Sequence, residues 1–288
     1  SNIQKFINRM KKDKLLPSIL IYSSEYWPFY DIIIKILRNK GYEVDLYLYS
    51  QKRDMFKYFA EVINLFQINF KKYDIVHAYF GTSGLIANFQ RQVPVITTYC
   101  GSDLLGVMAN DKRYNYIKSF LFKFASRLSY NLSVNTTTLS KKLEKELPNK
   151  KKNKIITLGV DTDHFSPINC NEARSKLGWE EEAIYILFPS EKYRSVKRYH
   201  LAKKLVSSID LKMKTILISL DQPNMYNQIP LIMSASNLMI FVSKHEGSPN
   251  VIREAMCCNL PIFTFDVGDV KEQIEGVSNC FCAEQDDI

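Results

Sequence analysis

The run Leu238-Met-Ile-Phe-Val242, the polar stretch Ser243-Lys244-His245-Glu246-Gly247-Ser248-Pro249-Asn250, the segment Val251-Ile252-Arg253-Glu254-Ala255-Met256 and the run Ile262-Phe-Thr-Phe265 decide the fold. A short apolar run reads as a buried strand, and the spacing that follows reads as a helix. Ser248 can cap that helix, and Pro249 suits its first turn. Strand, loop, helix and strand in that order make a βαβ unit, whose two strands are parallel.

Working outward, the same alternation recurs. Tyr185–Phe188, Thr215–Ser219 and Asn279–Phe281 read as further strands of the same sheet. Before the loop Gly159–Asn169, strands are expected at Ile19–Tyr22, Glu43–Tyr49, Ile75–Ala78, Val95–Thr98, Leu132–Asn135 and Ile155–Thr157, with helices between them. The reading is α/β, with two Rossmann-like doubly wound domains over residues 1–165 and 166–288. Open sheets of this kind bind ligands at the carboxyl ends of their strands, so two of them are expected to present facing loops across a cleft.

Charge divides the chain in the same way. Residues 1–160 carry 26 Lys and Arg against 12 Asp and Glu, whereas 161–288 carry 13 against 18. A basic first domain calls for an anionic partner. Nucleic acid is set aside because no helix-turn-helix, zinc-finger or RNP pattern is present. The six cysteines fit no metal-ligand spacing and read as reduced thiols of a cytoplasmic protein. Walker A, HExxH, GxSxG and EF-hand spacings are absent.

The polar residues after the strands carry the chemistry. Backbone N–H groups near 248–251 at a helix start form an anion site, and Glu254 on the first turns can accept hydrogen bonds from two vicinal hydroxyls. By itself Glu254 reads equally as a charge favoured near a helix N-terminus. Lys192, Arg194, Lys197 and Arg198 place four cations within seven residues after the strand Tyr185–Phe188. Fixed cations of this kind stabilise charge on a departing phosphate.

The run Glu246-Gly-Ser-Pro-Asn…Glu254-Ala-Met, with Leu260-Pro-Ile and Asp266-Val-Gly268-Asp269, resembles the signature of the retaining GT-B glycosyltransferases of family 4, including their E-x7-E motif. The resemblance spans nearly the whole chain, is strongest over Tyr185–Glu272 and is weak over residues 1–70. It implies a GT-B fold and transfer of a sugar from a nucleotide diphosphate-sugar donor to a glycan or lipid-linked acceptor. Configuration would be retained, no cofactor or essential metal would be needed, and the setting would be cell-surface polysaccharide or glycoconjugate synthesis. Catalytic roles fall to Glu246, Lys197 and Arg194; Lys192, Gly247, Ser248, Pro249, Asn250, Val251 and Glu254 would bind the donor. The usual five-residue spacing of the family's Arg and Lys lands on Lys192, and Arg194 is favoured for its fork-shaped guanidinium. His77 and Asp103 would position acceptor or sugar; Cys100 stands where relatives often carry His. Relatives continue past the position of Ile288 through terminal helices, which the second domain here is expected to lack. A GT-B-fold nucleotide-sugar epimerase and a catalytically weak nucleotide-sugar-binding relative are the alternatives.

Two further segments yield expectations. Asp161-Thr-Asp163 matches the metal-binding D-x-D pattern, but its Gly-Val-Asp…Phe setting reads as a domain crossing rather than a metal site. On a helix expected over Lys112–Ser129, Ile117, Phe120, Leu121, Phe124 and Leu128 form an apolar stripe that reads as core. Lys112, Tyr116, Lys123 and Arg127 fall largely elsewhere, where they can rest on an anionic membrane. The accompanying expectation is peripheral attachment to the inner face of the plasma membrane.

Overall fold

The computed structural model describes residues 16–49, 55–110, 112–209, 213–221 and 225–285; the position of Ile288 lies outside them. The chain divides into two compact units at Leu158/Gly159, with Met108–Tyr114 grouped with the second. The division precedes the expected 165/166 boundary because Val160 and Phe165 pack into the second unit's core with Leu187, Met239 and Ile262.

In the first unit β1 (Ile19–Ser23), α1 (Phe29–Asn39), β2 (Val44–Leu48), α2 (Met55–Asn64), β3 (Ile75–Tyr79), α3 (Gly81–Ala87), β4 (Val95–Tyr99), α4 (Ser102–Leu105), α5 (Tyr116–Leu132), β5 (Asn135–Thr138), α6 (Lys141–Lys145) and β6 (Asn153–Ile155) follow in turn. Six parallel strands lie in the order β2-β1-β3-β4-β5-β6. Both faces are covered, as a parallel sheet requires. Leu20, Tyr22, Val76 and Ala78 enter one core, and Ile21, Val44 and Tyr79 enter the other.

The second unit runs through α7 (Cys170–Leu177), β7 (Ile184–Phe188), α8 (Tyr199–Ser208), β8 (Thr215–Ser219), α9 (Ile229–Ala235), β9 (Leu238–Phe241), α10 (Asn250–Cys257), β10 (Ile262–Phe265), α11 (Val270–Gln273) and β11 (Cys280–Ala283). Its five strands are parallel in the order β11-β10-β9-β7-β8. Leu187 faces one core while Ile186 and Phe188 face the other, so the continuous apolar run of β7 is filled on both sides. The order reverses between β7 and β9, which makes the ends of these two strands the place where a ligand is expected. All six cysteines are free thiols.

Three elements of the first unit depart from expectation, the sixth strand among them, at Asn153–Ile155 instead of Ile155–Thr157. The fifth strand falls at Asn135–Thr138 instead of Leu132–Asn135, because the preceding helix continues through Leu132. That helix begins at Tyr116, where the Asn115 side chain accepts from the Lys118 amide and caps it. The larger departure is the face it buries. Ser119, Phe122, Ala125, Ser126, Ser129 and Tyr130 are buried, while Ile117, Phe120, Leu121, Phe124 and Leu128, expected in the core, are exposed.

Helix α3 explains this. A Cβ added at Gly81 would stand 2.9 Å from Ser126 Cα, and one at Gly84 would stand 2.6 Å from Thr97 Cγ2. Helices this close admit only small side chains between them, so α5 turns its serines inward. Ser126 Oγ donates to the Asp103 carbonyl at 2.9 Å, and Thr97 Oγ1 lies 3.1 Å from Ser129 Oγ and 2.8 Å from Ser133 Oγ. Gly84→Val is therefore expected to overpack the contact and cost about 1–3 kcal/mol, read as a lowered urea midpoint at unchanged slope. An unaltered midpoint would show that α3 and α5 do not approach this closely.

Candidate functional site

The reversal of strand order brings together the loops that follow β7 and β9. After β7 the chain passes through a 3₁₀ turn at Ser195–Lys197 and enters α8 from Arg198, which adopts a left-handed conformation with φ 58°. The Lys244 amide donates to the Val196 carbonyl at 2.9 Å, tying the two loops by their backbones. Arg198 ties them by its side chain: Nε donates to the Val242 carbonyl at 2.6 Å and Nη2 to the Ser243 carbonyl at 3.3 Å. Its guanidinium also sits 5.1 Å from the Phe265 ring centroid.

Within this frame Lys197 and Glu246 meet. Lys197 Nζ donates to Glu246 Oε1 at 2.5 Å, with both side chains about 15% exposed, at 15% and 16%. The ammonium also stands 5.6 Å from the Phe241 ring centroid. Lysine has three donors, so one carboxylate oxygen leaves capacity for an additional acceptor. Gly268 fixes the other side of the loop: its φ is +65°, and a Cβ there would meet the Gly247 carbonyl at 3.0 Å and Glu246 Cβ at 3.3 Å.

The helix start differs from its sequence reading. Pro249 is the N-cap of α10, one position ahead of the first turn, and Ser248 does not cap. Ser248 Oγ instead donates to Asp269 Oδ2 at 2.8 Å. Asp269, 6% exposed, also accepts from Arg253 at 3.4 Å and from Gln273 Nε2 at 2.6 Å. This network braces the loop, and Arg198, Arg253 and Asp269 are the residues that sequence reasoning missed. Asp269 was visible within Val-Gly-Asp; nothing in the chain marked the other two as buried.

Along α10, Asn250 Nδ2 donates to Glu254 Oε1 at 3.1 Å across one turn. Burial pushes the Glu254 carboxyl up to about 7, with the Asn250 bond opposing the shift. Asn250 Oδ1 is buried with no hydrogen-bond partner, an acceptor beside the carboxylate that a ligand hydroxyl would satisfy. Val251 packs partly buried against the second unit's core.

Lys192 and Arg194 stand apart from the Lys197–Glu246 pair. Lys192 Nζ pairs with Asp221 Oδ2 at 3.0 Å, and its amide donates to the same carboxylate. Arg194 is half exposed and loosely paired with Glu191 at 3.6 Å. The buried guanidinium of this segment is that of Arg198, and its donors are spent on backbone carbonyls.

In the first unit, His77 lies within β3, its Nε2 at 2.7 Å from Thr98 Oγ1 and its ring stacked on Tyr79. Burial pulls its pKa down to about 4. Asp103 is fully buried. Its carboxylate accepts from the amides of Gly81 at 3.0 Å and Gly101 at 2.7 Å and from that of Cys100. Burial pushes this carboxyl above its ordinary value while those amides pull it back. The carboxylate thus shapes the turns after β3 and β4. Asp161 Oδ1 accepts from the amides of Asp163 and His164, a local turn at the D-x-D pattern. Among the described residues, no group of three His, Cys, Asp or Glu converges as metal ligands.

Residues 208–288 match the family model described as Glycosyl transferases group 1. The putative teichuronic acid biosynthesis glycosyltransferase TuaC of Bacillus subtilis (strain 168) is 23% identical over 220 residues, covering 68% of this chain and 54% of that protein. The chain thus spans about half the length of this curated relative. Among solved structures, sucrose-phosphate synthase (tll1590) from Thermosynechococcus elongatus superposes with a TM-score of 0.69 at 14% identity, over 94% of this chain and 86% of that one. Anabaena Alr3699/HepE in complex with UDP and glucose gives 0.66 at 15% identity, over 93% and 86%. WaaG, a glycosyltransferase involved in lipopolysaccharide biosynthesis, gives 0.67 at 13%, over 94% and 86%. The resemblance to group 1 glycosyl transferases is shown, and the fold is GT-B.

The raised pKa of Glu254 fixes a pH dependence. Between about 4.5, the ordinary value, and about 7, the unfolded chain has lost a proton that the folded state keeps. Stability therefore falls as pH rises through that window. Glu254→Gln removes the titration, so its melting temperature is expected to exceed that of the unaltered protein at pH 8, the gap closing towards pH 4.5. Parallel pH profiles for the two proteins would contradict the burial of this carboxyl.

Proposed function

We propose that the second unit binds a nucleotide diphosphate-sugar and that the protein transfers the sugar, with retention of configuration, to a glycan or lipid-linked acceptor in cell-surface polysaccharide or glycoconjugate synthesis. The observation that carries this reading is the Lys197–Glu246 pair at 2.5 Å, held where the strand order of the second sheet reverses. The ammonium is placed to meet the diphosphate, and the first-turn amides of α10 offer further donors to it. Glu254 and the unpartnered Asn250 Oδ1 supply two neighbouring acceptors for the vicinal hydroxyls of a ribose. Glu246 meets the transferred sugar, and Ser248, pinned by Asp269, shapes the loop around it.

In the reaction, the bond between the anomeric carbon and the diphosphate oxygen breaks, both electrons leaving with the oxygen. The acceptor oxygen bonds to the same carbon on the same face, and its proton passes to the departing phosphate. Lys197 stabilises the charge that builds on the leaving group, so no side chain is required as a general base. Arg194 and Lys192, both on the segment after β7 and half exposed, can turn towards the diphosphate only by leaving Glu191 and Asp221. The proteins of like fold solved with UDP and glucose or with ADP and acarbose make UDP and ADP the first nucleotides to test.

The test is a thermal-shift series with UDP, ADP and GDP. At a hundredfold excess over Kd a ligand that binds only the folded state adds about 2.7 kcal/mol, so at least one nucleotide is expected to raise the melting temperature clearly. Measured against each variant's own unliganded melt, the shift is expected to vanish in Lys197→Ala and to shrink in Glu254→Ala. Equal shifts in all three proteins, or none with any nucleotide, would overturn the assignment.

A further inference from the structure

Helix α5 turns its large apolar side chains to solvent for a structural reason. The close approach of Gly81 and Gly84 requires serines on its inner face, which leaves Tyr116, Ile117 and Phe120 at 77%, 78% and 68% exposure, with Leu121, Phe124 and Leu128 beside them. Phe120 and Phe124 stack at 6.2 Å on this outer surface. A contiguous apolar patch of this size on one helix marks a surface that something covers.

Charge identifies what covers it. Helix α5 contains Lys118, Lys123 and Arg127 and no Asp or Glu. At 100° per residue, Lys123 and Arg127 share the outer arc with Tyr116, Phe120 and Phe124. Along one flank runs the basic segment that follows β5. Lys123 approaches Glu146 at 3.8 Å, and Tyr130 donates to Asn149 at 2.5 Å. These contacts place Lys145, Lys150 and Lys151, all largely in solvent, beside the helix. Two copies of this face brought together would oppose cations to cations, since Glu146 and Glu144 already lie against Lys123 and Lys150. A surface of lipid phosphates answers both features, because aromatic and aliphatic side chains enter the headgroup boundary while lysine and arginine pair with the phosphates.

We propose that the outer face of α5, with its flanking lysines, is the surface by which the first unit seats on an anionic lipid bilayer. The helix lies in the plane of the interface; among the described residues no helix is long and apolar enough to cross a membrane. No nucleotide enters this inference, which holds or fails separately from the donor-site reading.

Sedimentation with vesicles tests it, using phosphatidylcholine alone and phosphatidylcholine mixed with phosphatidylglycerol. The protein is expected to partition onto the mixed vesicles at least about tenfold more strongly than onto the neutral ones, and less so as salt is raised. Phe120→Ser/Phe124→Ser is expected to weaken binding by about tenfold or more. Lys123→Glu/Arg127→Glu is expected to abolish the preference for the anionic vesicles. Both pairs lie in solvent, so melting temperatures near that of the unaltered protein are expected. The proposal is overturned if the protein stays in the supernatant with phosphatidylglycerol vesicles. It is overturned equally if both double variants, folded by their melts, sediment like the unaltered protein. A dimer in solution that Phe120→Ser/Phe124→Ser dissociates would assign the face to a second copy and also refute it.

Discussion

The guanidinium of Arg198 spans the gap between the segment after β7 and the carbonyls of Val242 and Ser243, and the geometry of the two loops depends on that span. A buried cation is tolerated only when its donors are matched, so the two loops cannot part without stranding the charge. The backbone is held to the same end, because Arg198 sits at φ 58°, where a side chain costs roughly 1–2 kcal/mol. The immediate neighbour of this fixed residue is Lys197. Its ammonium is thereby delivered to Glu246, a residue 49 positions away in the chain.

The alternation of strands and helices was legible because parallel strands buried on both faces read as short apolar runs, and Tyr185–Phe188 and Ile262–Phe265 are runs of that kind. Asn135–Thr138 was not, since a strand of Asn and Thr carries no apolar signal. The face of α5 was misread for a related reason. Periodicity measures where large apolar residues lie, whereas the helix is seated by what α3 leaves room for, and opposite its two glycines stand Ser126 and Ser129. In the site, the spacing from Glu246 to Glu254 was visible, as was the cationic cluster. Which cation turns inward was not visible, because Arg194 and Arg198 are chemically alike and only the left-handed turn at 198 separates a half-exposed arginine from a buried one.

Helix α10 carries polar groups whose hydrogen-bonding capacity the fold does not meet. Glu254 is buried deeply enough to hold its proton to about 7, and Asn250 Oδ1 and Arg253 Nη1 have no partners. Each such group costs about 1–3 kcal/mol relative to a satisfied one. Elsewhere in the second unit Gln273 Oε1 also lacks a partner, while Arg174 reaches the Ala235 carbonyl and Asn237, and Ser236 donates to the Ile232 carbonyl. Unmet hydrogen-bonding capacity gathered along one face of α10 is what a site shaped for a polar ligand carries, and what a helix selected for stability alone would lack.

The first unit follows the opposite rule. Its polar residues in and just after β3 and β4 are consumed by the fold: Asp103 by three amides, His77 by Thr98, and Thr98 in turn by Thr137 at 2.5 Å. Its strand order reverses between β1 and β3, so the loop after β1 occupies the place in this sheet that the loop after β7 occupies in the other. That loop exposes Tyr26 and Trp27 at 45% and 47%, aromatic rings where the other loop carries cations. Two sheets of the same topology therefore carry different side-chain chemistry at equivalent positions, cations in one unit and aromatic rings in the other.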